Sequence, residues 1–217
     1  MHAKRQDYRM RRLRRHLILA LGSGTLTLGI FSVLHSPGVI WRVSMASAYV
    51  GGGLLIASLV IGPWYALRGR PNPVSTDVRR DIGIWAGVLG LIHVVAGLLV
   101  HMEGRMHLYF LFPPHAATFT RIRYDLFGVA NYVGACATVI LLMLLALSND
   151  VSLRLLGPRR WKFLQRGNYA LIVLIFVHAL AYQWLEKRLM PWGLGILAAI
   201  AVLGIIRVLG CRASVRR

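Results

Sequence analysis

Six long blocks of predominantly apolar residues leave this chain of 217 residues little choice of fold. They run over about Leu17–Leu34, Met45–Leu67, Asp81–Met102, Leu126–Leu147, Leu164–Trp184 and Trp192–Leu209. About 20 apolar residues carry a helix across the hydrocarbon of a bilayer, and each block comes close to that length. Lipid cannot satisfy an open backbone, so each block is expected to be helical. The expected fold is all-α: a polytopic membrane bundle of six transmembrane helices. Residues 1–16 then form a basic arm, 17–209 the transmembrane domain and 210–217 a tail. Composition agrees, with 57% hydrophobic and 15% charged residues, against about 25% charged in soluble proteins. The run after "MHAKRQDYRMRRLRRH" is too long for a signal peptide and lacks a small-x-small cleavage site, so it reads as a retained first helix.

Lysine and arginine set the expected orientation. With the N-terminus in the cytoplasm, the cytoplasmic segments are the arm, "RGRPNPVSTDVRR", "RLLGPRRWKFLQR" and the tail. Together they hold 20 of the 26 basic residues, while Arg42, Arg105, Arg121, Arg123, Lys187 and Arg188 lie outside. Both termini are therefore expected in the cytoplasm of a multi-pass protein of the cell (inner or plasma) membrane. The net charge of +19 reflects this topology, with attraction to anionic lipid as a residual role. The lipid bilayer is the expected partner and nucleic acid is not, because nucleic-acid-binding modules carry their charge on a polar face. Cys136 and Cys211 have no CxxC partner and suggest neither a disulfide framework nor a zinc site. The longest connection, Glu103 to Asp125, is amphipathic and reads as a short segment on the outer surface.

Eight histidines are present. His2, His16, His35, His107 and His115 fall outside the apolar blocks or at their ends, where polar residues are ordinary. His93 and His178 sit deep inside them, where an ionisable side chain is costly and by default functional. The stretch from Arg80 to His93 and that from Leu164 to His178 are nearly equal in length. At about 1.5 Å per residue both imidazoles are about 20 Å from the cytoplasmic edge. Two imidazoles at one depth suit the two axial positions of a haem iron. The same pair suits a proton relay or haem-free transporter, or two histidines hydrogen-bonded separately within the bundle. His101, further along the same block as His93, is turned from it by about 80° at about 100° per residue; it suits a propionate partner or an alternative ligand, and reads first as interfacial, near Glu103.

"IGPWYALRGRPNPVSTDVRRDIGIWAGVLGLIH" and "LGPRRWKFLQRGNYALIVLIFVHALAYQW" resemble the ferric-reductase-like transmembrane domain. Within it they are most similar to the haem-binding membrane subunit of the periplasmic methionine sulfoxide reductase system. The resemblance covers about Ile61–Trp184. It rests on Arg79 and Arg80, their distance to His93, the "RRW" at Arg159 to Trp161, and the spacing from Gln165 to His178. It implies b-type haem with His93 and His178 as ligands. It also implies electrons passed from a cytosolic flavin reductase or quinol to an outer acceptor, either a periplasmic molybdenum-cofactor reductase or ferric iron. FMN and a quinone are the further cofactors it admits. That subunit carries another histidine where this chain has Gln165. Two-haem relatives place a second histidine at a fixed spacing along each helix. Here the positions at that spacing before His93 and His178 are Arg80 and Gln165. Arginine does not ligate iron, so one haem is expected.

No GxGxxG motif occurs, and the connections are too short for a nucleotide-binding domain. Electrons must then come from a partner or from quinol, and the chain acts as a subunit of an oxidoreductase system. Arg80 and Arg160, with Arg79, Arg159 and Lys162, gather at the cytoplasmic ends of the third and fifth blocks. They suit a flavin phosphate or a haem propionate, and more simply positive-inside topology with lipid headgroups. Trp85 suits packing against a porphyrin, although such a residue more often belongs to the interfacial belt or the core.

Overall fold

The computed structural model describes residues 2–36, 38–69, 77–116, 118–187 and 193–215. Arg70, the middle of "RGRPNPVSTDVRR", Arg188, Trp192, Arg216 and Arg217 lie outside the described residues. So do the side chains of His2, Lys4, Arg5 and Cys211. The helices are α1 His2–Val33, α2 Val39–Leu67, α3 Asp77–Val100, α4 Leu126–Leu147, α5 Asp150–Gln165, α6 Gly167–Leu185 and α7 Leu194–Val215. Two 3-10 turns, Met102–Gly104 and Met106–Tyr109, follow α3. No strand occurs among the described residues beyond an isolated antiparallel bridge between Leu111 and Ile122.

Five stretches are long and apolar enough to cross a membrane: Gln6–Val33, Val39–Leu67, Val78–Val100, Leu126–Leu147 and Asp150–Leu185. The all-helical, multi-pass character read from the apolar blocks is borne out. The sixth block corresponds to a shorter apolar helix, Leu194–Gly210.

Two boundaries differ from the sequence reading. The segment expected as a cytoplasmic connection is α5, bent at Gly157, whose φ of 70° and ψ of 161° suit glycine. Pro158 then opens the second half of α5, where its fixed φ and missing N–H are tolerated. The fifth block starts a new helix at Gly167, so Leu164 belongs to α5. Counted from the helices' own starts, the run from Asp77 to His93 exceeds that from Gly167 to His178 by more than a helical turn. The depth match therefore rests on where Arg80 and Leu164 mark the membrane edge, not on helix ends.

The chain forms two compact units. The first holds Met1–His93 and Ile206–Arg217. Here α2 and α3 pack closely at Gly51, where a Cβ would stand 3.2 Å from Leu89 Cβ and 3.3 Å from the Ala86 carbonyl. Buried Ser44, Ala46 and Ser47 keep the face of α2 narrow. The Ser47 hydroxyl is satisfied within its own helix, donating to the Val43 carbonyl at 2.7 Å. α1 is different, because only 6% of its apolar window is buried. One of its contacts is the Arg42 guanidinium of α2 over the Phe31 ring at 4.3 Å.

The second unit holds Val94–Ile205. Its centre is the antiparallel pair α4 and α6. α5 folds back on the end of α4, where the Trp161 indole N–H donates to the Leu147 carbonyl at 2.8 Å. The connection from α3 to α4 is a folded hairpin, which its amphipathic pattern does not disclose. Phe112 N–H donates to the Arg121 carbonyl at 2.7 Å and Arg123 N–H to that of Phe110 at 2.9 Å. Asp125 caps α4, accepting from the Gly128 amide at 2.8 Å and from Arg123 Nε at 3.0 Å.

Candidate functional site

His93 lies on α3 with its Nδ1 3.0 Å from both the hydroxyl and the carbonyl oxygen of Ser44 on α2. A carbonyl only accepts, so the carbonyl assigns the Nδ1 proton to His93 and the lone pair to Nε2. Ser44 is itself 1% exposed. The contact is set by the close approach of α2 and α3 that Gly51 permits.

His178 repeats this device in the other unit. Its Nδ1 is 2.8 Å from the Ala130 carbonyl of α4, which again leaves the lone pair on Nε2. One turn further along α4, a Cβ on Gly134 would come within 2.9 Å of the ring's Cε1 and Nδ1. Ala130 and Gly134 thus form a cradle in which the imidazole replaces a side chain. Tyr182 completes it, with its ring centroid 4.9 Å from that of His178 and its hydroxyl donating to Asn131 Oδ1 at 2.8 Å.

His101 does not turn to Glu103, as its sequence neighbourhood suggests. Glu103 instead pairs with Arg105 at 3.2 Å. The His101 ring meets Tyr109, Phe127 and Tyr182, and its Nε2 lies 3.6 Å from Glu186 Oε1.

A second polar centre escaped the sequence reading. Asp81 of α3 is fully buried, and α1 supplies its partners: Arg12 Nε at 3.3 Å, Arg15 Nε at 3.2 Å and His16 Nε2 at 3.3 Å. The Arg15 approach to Oδ2 is a charge contact rather than an aligned hydrogen bond. Trp85 Nε1 donates to His16 Nδ1 at 3.2 Å. An indole N–H only donates, so the His16 proton sits on Nε2 and faces Asp81. The signal for this centre is visible in retrospect: Arg12, Arg15 and His16 share one helix face at spacings of three and four, and Asp81 opens the third apolar block.

Of the residues expected around a cofactor, Arg80 and Trp85 belong to the first unit and Arg160 to the second. Trp85 is hydrogen-bonded to His16. Arg79 donates through Nε to the Ser58 carbonyl of α2 at 2.9 Å, and Arg80 is half-buried beside it. Arg160 is exposed on α5 and, with Leu156, Arg159, Phe163 and Leu164, lines an open groove of about 430 Å³. Gln165 accepts from Asn168 Nδ2 at 3.4 Å, while its own buried Nε2 meets no acceptor among the described residues.

No group of three or more His, Cys, Asp or Glu able to hold a metal ion occurs among the described residues. A bis-imidazole haem needs two such side chains. The donor set fits that demand, because an iron-ligating imidazole ordinarily donates its other ring N–H to a carbonyl or carboxylate. Comparison of the chain with protein-family models, with curated proteins and with solved structures finds no match.

Proposed function

We propose that the chain is a six-span membrane electron-transfer subunit with both termini in the cytoplasm, carrying one b-type haem ligated by His93 and His178. It passes electrons from a cytosolic flavin reductase or quinol to an acceptor on the outer face, a periplasmic methionine sulfoxide reductase or ferric iron. The supporting observation is the shared device on the two histidines. Each directs Nδ1 at a main-chain carbonyl of a neighbouring helix, Ser44 or Ala130, and so keeps Nε2 basic. The likeness of Ile61–Trp184 to the ferric-reductase-like domain supports the same reading.

A haem in this setting supplies a one-electron couple whose potential depends on its ligands and burial. The chain's own residues do the rest. The Ser44 and Ala130 carbonyls fix the tautomer and plane of each imidazole. Gly134 lets α4 approach His178, and the apolar helices keep water from it. The exposed Arg159 and Arg160 suit an anionic group of a cytosolic partner. A haem-free proton relay is the second reading, favoured by the run of rings from His178 through Tyr182 to His101.

A reduced-minus-oxidised visible spectrum of the purified protein separates the two. A low-spin b-type signal lost in both His93→Ala and His178→Ala is expected. A folded, colourless protein from haem-replete cells overturns the proposal.

A further inference from the structure

A path of rings and hydrogen bonds leads from His178 to the end of α6. Tyr182 lies one turn beyond His178, with ring centroids 4.9 Å apart. Its hydroxyl is held by Asn131, whose Nδ2 donates to the Phe127 carbonyl at 2.8 Å, so the tilt of the ring is fixed. The His101 ring stacks on Tyr182, with centroids 6.5 Å apart and planes 19° apart. The His101 and Glu186 side chains are 37% and 20% exposed. This pair is therefore open to the outside of the fold on one side and, through a single tyrosine, meets His178 on the other.

We propose that His101 with Glu186 is a proton-binding site coupled to the electron occupancy of the centre that His178 ligates. The proposal rests on the reading of His93 and His178 as haem ligands. An imidazole changes charge near neutral pH. An added electron a short distance away, through poorly polarisable protein, favours the imidazolium. Coupling between two binding equilibria is reciprocal, so proton binding at His101 raises the affinity for the electron. His101 stands no farther from His178 than the 6.5 Å and 4.9 Å steps combined.

The groups that face His101 come from every element packed against it. α6 contributes Glu186 and Tyr182, with Lys187 exposed at its end. The second 3-10 turn contributes Tyr109, whose hydroxyl accepts from the His101 amide and donates to the Gly97 carbonyl, each at 2.9 Å. Burial raises the Tyr109 phenol, the His101 backbone contact lowers it less, and the net shift is upward, so it stays neutral. α4 contributes Phe127, over which Arg123 lies at 4.7 Å while bonded to Asp125. Arg105 is engaged with Glu103.

The test uses the full chain in lipid nanodiscs. Redox titration of the visible band between about pH 5.5 and 8 is combined with NMR titration of labelled histidine. The wild-type midpoint is expected to fall as pH rises. In His101→Gln it becomes flat and lies below wild type at the acid end. In Glu186→Gln the falling segment moves to lower pH, because the lost carboxylate no longer favours the imidazolium, and the His101 NMR titration moves with it. A haem-bearing protein whose midpoint ignores pH, or whose slope survives His101→Gln, overturns this proposal alone. A protein without the visible band overturns the haem reading itself.

Discussion

Gly134 of α4 lies against the imidazole of His178 so closely that a Cβ there would stand 2.9 Å from two ring atoms. The ring cannot retreat without leaving the Ala130 carbonyl, 2.8 Å away. Gly134→Ala is therefore expected to displace His178 and to cost about 1–3 kcal/mol, as overpacking of a filled interior does. The measurements are thermal melting in detergent and haem content per protein. Wild-type values for both would show that the cradle has slack.

A second expectation concerns α1, which buries little apolar surface and depends on Asp81. Removing one partner of a buried ion pair costs about 3–5 kcal/mol, because the others keep their desolvation cost. Arg12, Arg15 and His16 are 20%, 33% and 29% exposed, so water screens part of this and Asp81→Ala falls at the lower end. Arg12→Gln alone is expected to cost about 1 kcal/mol or less. Cysteine labelling at Leu13 reports whether the helix has come away. Unchanged labelling in Asp81→Ala would mean that apolar contacts suffice to hold α1.

The crossings were legible because burial in lipid demands unbroken apolar runs, and His93 and His178 stood out as ionisable exceptions deep within them. The immediate surroundings of those residues were not legible. The carbonyls of Ser44 and Ala130 belong to the backbone, which no side-chain pattern reports. Gly134 is one of 22 glycines, and its role depends on which helix lies opposite. Asp81 was masked by its place at the edge of a block, where charges are ordinary. α5 was hidden because its basic residues and its Gly157–Pro158 step read as a connection, although Asn149 caps its start by accepting from the Ser152 amide at 2.8 Å.

Tyr182 offers a graded test of the cradle. Tyr182→Phe keeps the ring against His178 and removes the hydrogen bond to Asn131, an expected loss of about 1 kcal/mol. Tyr182→Leu removes the ring as well. If the ring orients the imidazole, the leucine variant changes the electron paramagnetic resonance g-values of the haem proposed at His178 and the phenylalanine variant does not. Identical spectra for all three proteins would count against an orienting role.

The last expectation is a pH dependence at the start of α4. Burial alone would raise the Asp125 carboxyl. The hydrogen bond from Arg123, the Gly128 amide and the Arg123 charge outweigh it, and the net shift is downward. A carboxyl depressed in the folded state contributes stability that is present above its unfolded value and lost as pH falls through the folded one. The first turn of α4 should therefore stay closed down to the ordinary carboxylate range, near about pH 4, and open below it. Hydrogen-exchange protection of the Gly128 amide reads this directly. Asn still caps a helix, so Asp125→Asn should keep most of that protection and make it independent of pH, because no proton can then bind at the cap. Asp125→Ala loses the cap, at a cost of about 1 kcal/mol at every pH. Protection in the wild type that persists well below the carboxylate range, matching the asparagine variant, would place the stability of this turn in the hairpin packing instead.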